Sequence, residues 1–464
     1  MSYQSISAKL FASVSPVPVA APMMVVFNQD VVDTFGLPNY SMDEWTAILS
    51  GNTSYPNQTP FAMAYAGHQF GRFTMLGDGR AHVVAEIEQH QSIIDLQLKG
   101  SGITPFSRGG DGRAVLGPML REYIISEAMH ALGVATTRSL GVVSTGEVVY
   151  RDTPLPGAIL GRIADSHIRV GTFQYAVISG EEGLLQGLAD YTIDRHYPEL
   201  QDETDKYRRF LQSVIARQAK LIAKWMSIGF VHGVMNTDNM ALSGQTIDYG
   251  PCAFLDVYQP DAVFSSIDRS GRYAYNQQPN IGLWNLTRFA ETLISLLDDN
   301  SEIAIQKAEE DLALFSQIYM DEYYRLMGQK IGIMNLEKKD RIVVDRLLEI
   351  MATEQLNFTD SFSTLTKQQA LSTSEDYVEW VELWQRVVKS QKDVDFITLM
   401  KQVNPIVIPR NHILQEALDA AEAGGLDLFL RILEDVRHPF NEPTEPRLTE
   451  RRKKDEPFIT YCGT

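Results

Sequence analysis

Alternating and helical periodicities divide the chain into a strand-rich first part and a helix-rich remainder. Over 92–99, Ile94, Leu96 and Leu98 share one face and Asp95, Gln97 and Lys99 the other, the two-residue period of a strand. A second strand is expected over 81–87, directly after Gly77-Asp78-Gly79-Arg80. Two more are expected at 147–151 and 157–164, joined through Pro154-Leu155-Pro156. Helical spacing appears at 118–132, where Leu120, Ile124, Ala128 and Leu132 form a stripe. Pro118 suits its first turn and Gly133 its end. A longer amphipathic helix is expected over 203–228, burying Phe210, Leu211, Val214, Ile215, Leu221, Ile222, Trp225 and Met226 before Gly229 stops it. Beyond Asp256 the pattern is mostly helical, with one helix at 284–297 and several between 302 and 433. Residues 1–60 contain Pro16, Pro18 and Pro22 and are expected to be irregular, apart from a helix start at Asn39-Tyr40-Ser41 before Asp43-Glu44. The charged run 447–455 reads as a solvated tail. These elements predict an α+β chain.

Between the long helix and the helical remainder lies the stretch 231–250. Met240-Ala241-Leu242 and Gln245-Thr246-Ile247 are short strand-like runs, and Ser243-Gly244 is a plausible two-residue turn. That register sets Asn239 opposite Asp248, and directly opposed residues have Cβ atoms roughly 4.5–5.5 Å apart. An amide oxygen and a carboxylate so placed suit a hard cation, Mg2+ or Mn2+, shared with substrate phosphates. The alternative is a surface hairpin with polar ends.

Composition narrows the field. The 464 residues are 44% apolar and 22% charged, ordinary for a globular protein with two or three domains or subdomains. The net charge of −18 argues against a nucleic-acid partner and against a membrane-surface partner. Over 61–175, ten Lys/Arg balance ten Asp/Glu, so the acidity lies elsewhere. A locally neutral, arginine-bearing segment fits a small phosphorylated ligand; acidity collecting on exposed helices explains much of the same contrast. Two cysteines, Cys252 and Cys462, exclude a disulfide framework. With no signal-peptide pattern and no run of ~18 apolar residues, a cytoplasmic location is expected.

Candidate chemistry gathers in that neutral segment. Ten of the 32 glycines fall between Phe61 and Gly117. Glycine loops admit phosphate close to the backbone, although turn-making is their commoner use, and neither the Rossmann order nor a Walker A sequence is present. Lys99 ends a strand, and Glu122 lies in the first turns of the following helix, off its apolar stripe. Protein kinases hold a lysine against nucleotide phosphates with such a pair. The connecting Ser107-Arg108-Gly109-Gly110-Asp111-Gly112-Arg113 offers amides and guanidinium groups. Arg162 sits among apolar residues and needs an anionic partner, either a protein carboxylate or a phosphate.

The order of elements resembles the bilobed protein-kinase fold, and the motifs more closely resemble the selenoprotein O (SelO/YdiU) family. They are YAGHQFG at 65–71, GDGR at 77–80, LKGSG at 98–102, GDGRAVLGPMLRE at 110–122, GRIA with IRVGTFQ between 161 and 174, and HGVMNTDNM through DYGP between 232 and 251. The resemblance implies a kinase-like fold with a β-rich N-lobe, a helical C-lobe and an additional C-terminal helical region. The expected divisions are an N-terminal extension at 1–60, an N-lobe at 61–155, a C-lobe at 156–330 and a helical region with a Cys-bearing tail at 331–464. It implies transfer of AMP from ATP to Ser, Thr or Tyr hydroxyls of protein substrates, with the nucleotide flipped relative to kinases. Lys99 would contact phosphates and pair with Glu122. Gly77, Gly79 and Arg80 would line the loop, with Asp111 and Gly112 near the nucleotide and Arg162 and Arg169 on the outer phosphates. Asn239 and Asp248 would bind the metal, and Asp238 would be the general base. Family members often carry selenocysteine or cysteine near the C-terminus, which makes a Cys252–Cys462 disulfide over the site a candidate.

Spacing marks a departure from ordinary kinases. Aligning His232 and Asn239 with H-R-D-x-x-x-x-N puts Val234 where the catalytic aspartate belongs and Gly233 in place of the arginine. Asp238 is the nearest carboxylate able to take a hydroxyl proton. The same chemistry with UTP, transferring UMP, stays open beside AMP transfer, since no residue identified reads the base. The competing readings are a kinase-type phosphotransferase and a non-catalytic nucleotide-binding pseudokinase that regulates a partner.

Overall fold

The computed structural model describes residues 2–89, 92–391, 394–449, 458 and 460. Residues 2–60, expected to be irregular, hold strands β1 (Phe11–Ser13) and β2 (Met23–Phe27) and helices α1 (Gln29–Thr34) and α2 (Met42–Leu49). The prolines at 16, 18 and 22 lie between the two strands, so they interrupt neither. The Ser41 hydroxyl accepts from the Glu44 amide while the Glu44 carboxylate accepts from the Ser41 amide, a capping box that starts α2 as expected.

The next strands are β3 (Phe61–Met63), β4 (Ala66–Gln69), β5 (Arg72–Met75), β6 (Ala81–Gln89), β7 (Ser92–Lys99) and β8 (Ala114–Val115). Helix α3 (Leu116–Ala131) and the long strands β9 (Arg138–Tyr150) and β10 (Pro154–Ala164) follow. Among the described residues the main sheet runs β1-β3-β6-β7-β10-β9-β2, with β8 also on β10. Its pairings are antiparallel. Pro154 and Pro156 pair with Tyr150 and Val148 inside the β9–β10 ladder, so the expected connector is part of the strand. β4 and β5 form a separate hairpin.

The two faces of β7 explain the layering. Ile94, Leu96 and Leu98 pack with Trp45, Ile48 and Leu49 of α2 in one apolar cluster. On the opposite face Asp95 and Gln97 are buried rather than solvated, and Lys99 is nearly so. Helix α3 belongs to the other, larger core through Leu120, Tyr123 and Ile124.

The rest is helical: α4 (Val170–Ser179), α5 (Leu184–His196), α6 (Lys206–Ser227), α7 (Gln278–Leu297), α8 (Ser301–Leu312) and α9 (Leu314–Lys330). Then come α10 (Ile342–Thr353), α11 (Phe358–Thr366), α12 (Glu375–Ser390), α13 (Phe396–Val403), α14 (Asn411–Glu422) and α15 (Asp427–Arg437). Every residue assigned to the buried face of α6 is buried. No helix of the described residues is long and apolar enough to cross a membrane.

The hairpin expected over 240–247 does not form. A short pair, β11 (Phe230–Val231) with β12 (Ala253–Phe254), brackets the whole segment instead. Ala241 pairs with Arg169, and Thr246 pairs with Thr136. Ser243-Gly244 does turn, with the Gly244 amide donating to Ala241. Met240, Leu242 and Thr246 bond through their backbones to 135–137 and 168–170 instead of to each other.

Candidate active site

A cavity of about 530 Å³ is lined by the glycine loops, the end of β7, the sheet face of β10 and the segment 234–251. Gly77, Gly79, Arg80, Lys99, Asp111, Gly112, Arg162, Arg169, Asp238, Asn239 and Asp248 all reach it. Glu122 lies behind Lys99, buried on α3.

Strand register builds the cationic wall. Leu160 pairs with Lys99 and Arg162 with Gln97 across β10 and β7. The Lys99 ammonium lies 2.6 Å from Glu122 Oε2 and 3.0 Å from Asp248 Oδ1. Arg162 Nη1 lies 3.0 Å from Glu122 Oε1 and 2.6 Å from Asp248 Oδ1. Arg162 Nη2 donates to Gln97 Oε1 at 2.5 Å, and Gln97 Nε2 donates to Asp78 Oδ2 at 3.1 Å. Arg169 stacks over Tyr65 at 4.6 Å and sits 3.6 Å from Asp248 and 3.7 Å from Asp78. Of the two partners left open for Arg162, the structure supplies the carboxylates, Glu122 and Asp248, and it sets the guanidinium in the cavity wall.

Asp248 is the hub. Burial would raise its carboxyl, but Arg162, Lys99 and Arg169 hold it well below the usual range. Its φ of 63° is left-handed, which a non-glycine residue rarely adopts. Asn239 donates its amide to Val234 O at 3.0 Å, so its carbonyl oxygen is the ligand-type atom left over. Among the described residues no three His, Cys, Asp or Glu gather as a metal cluster. A cation held by Asn239 and Asp248 would need phosphate and water oxygens to complete its shell, as Mg2+ commonly does.

Asp238 shares the cavity and the burial of Asp248 but lacks its cationic clamp. Burial pushes its carboxyl up to about 6, only partly opposed by its own backbone amide, Arg169 and Gln69. Its Oδ1 is buried without a hydrogen-bond partner, and its Oδ2 accepts from Gln69 at 3.5 Å. The β4–β5 hairpin presses on it: a Cβ on Gly67 would lie 2.6 Å from Asp238 Oδ1. The His68 amide donates to Thr237 Oγ1, and the Phe70 amide donates to Asn236 Oδ1. Val234 lines the cavity where a kinase would have its base, and it brings no carboxylate.

Three expectations are modified. Asp111 borders the cavity, but its carboxylate is held by Arg151 at 2.7 and 3.0 Å. Cys252 is buried outside the lining, beside Pro251. Cys462 and most of 447–455 lie outside the described residues, whereas Arg447 is paired with Glu416 and Glu445. Thr460 donates to Pro251 O at 2.8 Å, next to Cys252 in sequence.

Sequence reasoning missed Gln69, Asp78, Gln97 and Arg151. Gln97 carried a usable signal, lying two residues before Lys99 on the same strand face. Asp78 lay inside a quoted motif. Arg151 carried none, because its partner is 40 residues away.

Three cations and two unlike aspartates around one cleft suit a polyphosphate and a proton transfer beside it, the equipment of a nucleotide-dependent transferase. The sequence profile of the family described as protein adenylyltransferase SelO matches residues 1–437. The chain is 49% identical over 475 aligned residues to the protein nucleotidyltransferase YdiU of Halalkalibacterium halodurans, covering 100% of this chain and 96% of that protein. Identity to the protein of the same name from Brevibacillus brevis is 49%, over 100% and 97% of the two chains. For Shouchella clausii it is 47%, over 100% and 98%. The chain belongs to the protein adenylyltransferase SelO family.

Proposed function

We propose that this chain transfers AMP from ATP to Ser, Thr or Tyr hydroxyls of proteins and releases pyrophosphate. The observation that carries this reading is the division of labour between Asp248, clamped by three cations, and Asp238, buried with an unsatisfied oxygen beside Asn239. Asp238 Oδ1 takes the proton of the acceptor hydroxyl as that oxygen bonds to the α-phosphorus. The α–β bridging bond breaks, and its electron pair leaves with pyrophosphate. Lys99, Arg162 and Arg169 stabilise the charge gathering on that leaving group. Glu122 and Gln97 hold Lys99 and Arg162 in place. Asn239 and Asp248 would hold Mg2+ or Mn2+, which would neutralise phosphate charge when bound. UTP would be a substrate by the same chemistry.

The reading extends to architecture and place. The main sheet with α3 would form the N-lobe of a kinase-like pair and the helices from α4 to α9 the C-lobe, with the expected 155/156 boundary moved past β10 and the sheet taking β1 and β2 from the first 60 residues; the setting would be the cytoplasm. Labelled ATP tests the reaction. With Mg2+ or Mn2+, protein-bound label should come from the α-phosphate alone. Label from the γ-phosphate alone would identify a phosphotransferase, and none from either a non-catalytic nucleotide binder. Asp248→Ala should abolish incorporation.

A further inference from the structure

The segments that bring Gln69, Phe70 and Ile267 into the cavity wall also carry exposed arginines. In the β4–β5 hairpin Gln69 pairs with Arg72, which sets both side chains on one face. Gln69 reaches Asp238 from that face, and Arg72 is exposed. The turn after Ile267 adds Arg269, also exposed, and Arg272. The Arg272 guanidinium stacks on Trp284 at 4.7 Å, and its central carbon lies 3.7 Å from where a Gly71 Cβ would be. The turn thus touches the hairpin immediately before Arg72.

These three charges lack carboxylate partners among the described residues, although acids are close. The Asp268 carboxylate is occupied by the amides of Arg272 and Tyr273 at 3.0 and 2.7 Å, and by the Ser270 hydroxyl. Glu291 is taken by Arg288 at 2.6 Å. The Arg272 Nε is buried without an acceptor. A cluster of unneutralised cations is unusual on a chain of net charge −18. Apolar side chains are exposed near it: Ile267, beside Arg269, is 57% exposed, and Phe73 and Met75, on the face of β5 opposite Arg72, are 42 and 49% exposed. Arginines without carboxylate partners, with exposed apolar groups nearby, suit a polypeptide with acidic side chains better than a nucleic acid, which the overall charge would repel.

We propose that this rim docks the acceptor polypeptide and selects segments in which Asp or Glu flanks the hydroxyl. The inference rests on the transfer reaction proposed above, whose base Asp238 touches the same hairpin. The test is fluorescence anisotropy with the full chain and labelled peptides of one length. Each peptide contains a single Ser or Tyr flanked by Glu, by Gln or by Lys. The Glu peptide should bind roughly tenfold more tightly than the Gln peptide, as a few exposed charge pairs allow. The preference should vanish in Arg72→Glu/Arg269→Glu, two exposed positions whose replacement leaves the core intact, and should fall with added salt. Arg272→Gln should reduce it in part. Equal binding of the three peptides, or an undiminished preference in the double variant, would overturn the proposal. So would a single-stranded oligonucleotide that displaces the Glu peptide at equal charge concentration. Labelling from α-phosphate ATP is scored separately. Selective binding without any transfer would refute the transferase reading and keep the docking surface; transfer with equal kcat/KM on all three peptides would refute the docking surface alone.

Discussion

Two aspartates ten residues apart carry opposite environments, and their protonation separates their roles. Burial holds the Asp238 carboxyl at about 6, against an ordinary 3.8. Below that value it is protonated and unable to accept a proton; above it the carboxylate is available. The acid limb of kcat/KM, which reports the free enzyme, should therefore bend near pH 6 and fall about tenfold per unit beneath it. Asp248, held well below the ordinary range by three cations, stays ionised throughout and adds no bend there. Asp238→Asn preserves shape and removes the base, so kcat should fall by about 10²–10⁴. ATP affinity, measured by titration calorimetry, should stay within a few-fold. A variant that kept its rate would assign the proton to another acceptor.

At the scale of elements, the β4–β5 hairpin positions the base without contributing it. Gly67 allows close approach, and a methyl there would meet Asp238 Oδ1 at 2.6 Å. Gly67→Ala should lower kcat by roughly 10- to 100-fold, the scale of a displacement of about an ångström in a catalytic group. Nucleotide affinity should hold, because Lys99, Arg162 and Arg169 lie on β7, β10 and the start of α4. Isotope-incorporation kinetics beside calorimetry checks both. Elements with their own periodicity were legible in the sequence: β7 begins and ends where its alternation does, and α6 buries the side expected of it. The meeting of Lys99 with Glu122 followed from placing one on a strand end and the other in the next helix. The segment 240–247 was misread because its local pattern satisfies a hairpin while its backbone partners lie at 135–137 and 168–170. Local periodicity holds no information about partners so distant. The same reason hid β1 and β2, whose partners are β3 and β9, and Asp78, whose role depends on Gln97.

Over the whole molecule, distant helices affect stability through a buried charge and reach the site through α3. Lys330, at the end of α9, is buried beside Phe362 at 4.3 Å, and burial pushes its ammonium down to about 7 from 10.5, with Lys224 adding to the effect. The unfolded chain binds this proton up to pH 10.5 and the folded chain releases it near 7, so stability rises with pH across that window. The contribution is up to ~1.4 kcal/mol per pH unit. Lys330→Met should be more stable than the parent at pH 7 in urea melts, with the gap narrowing toward pH 10. The α3 connection reaches catalysis. Helix α3 carries Glu122 and is gripped by α14 and α15: the Gly117 amide donates to Glu422 at 3.0 Å, Arg437 lies 3.5 Å from Glu127, and Tyr123 meets Phe429. Phe429 is wholly buried, so Phe429→Ala should cost about 3–5 kcal/mol. Since α3 also sets the carboxylate shared by Lys99 and Arg162, the KM for ATP should rise severalfold at temperatures where the variant is still folded. Leu430→Ala, at a neighbouring position 46% exposed, should change neither quantity. Loss of stability with an unchanged KM would confine α14 and α15 to holding the fold; the two changes together would make the C-terminal helices part of the apparatus that positions Lys99.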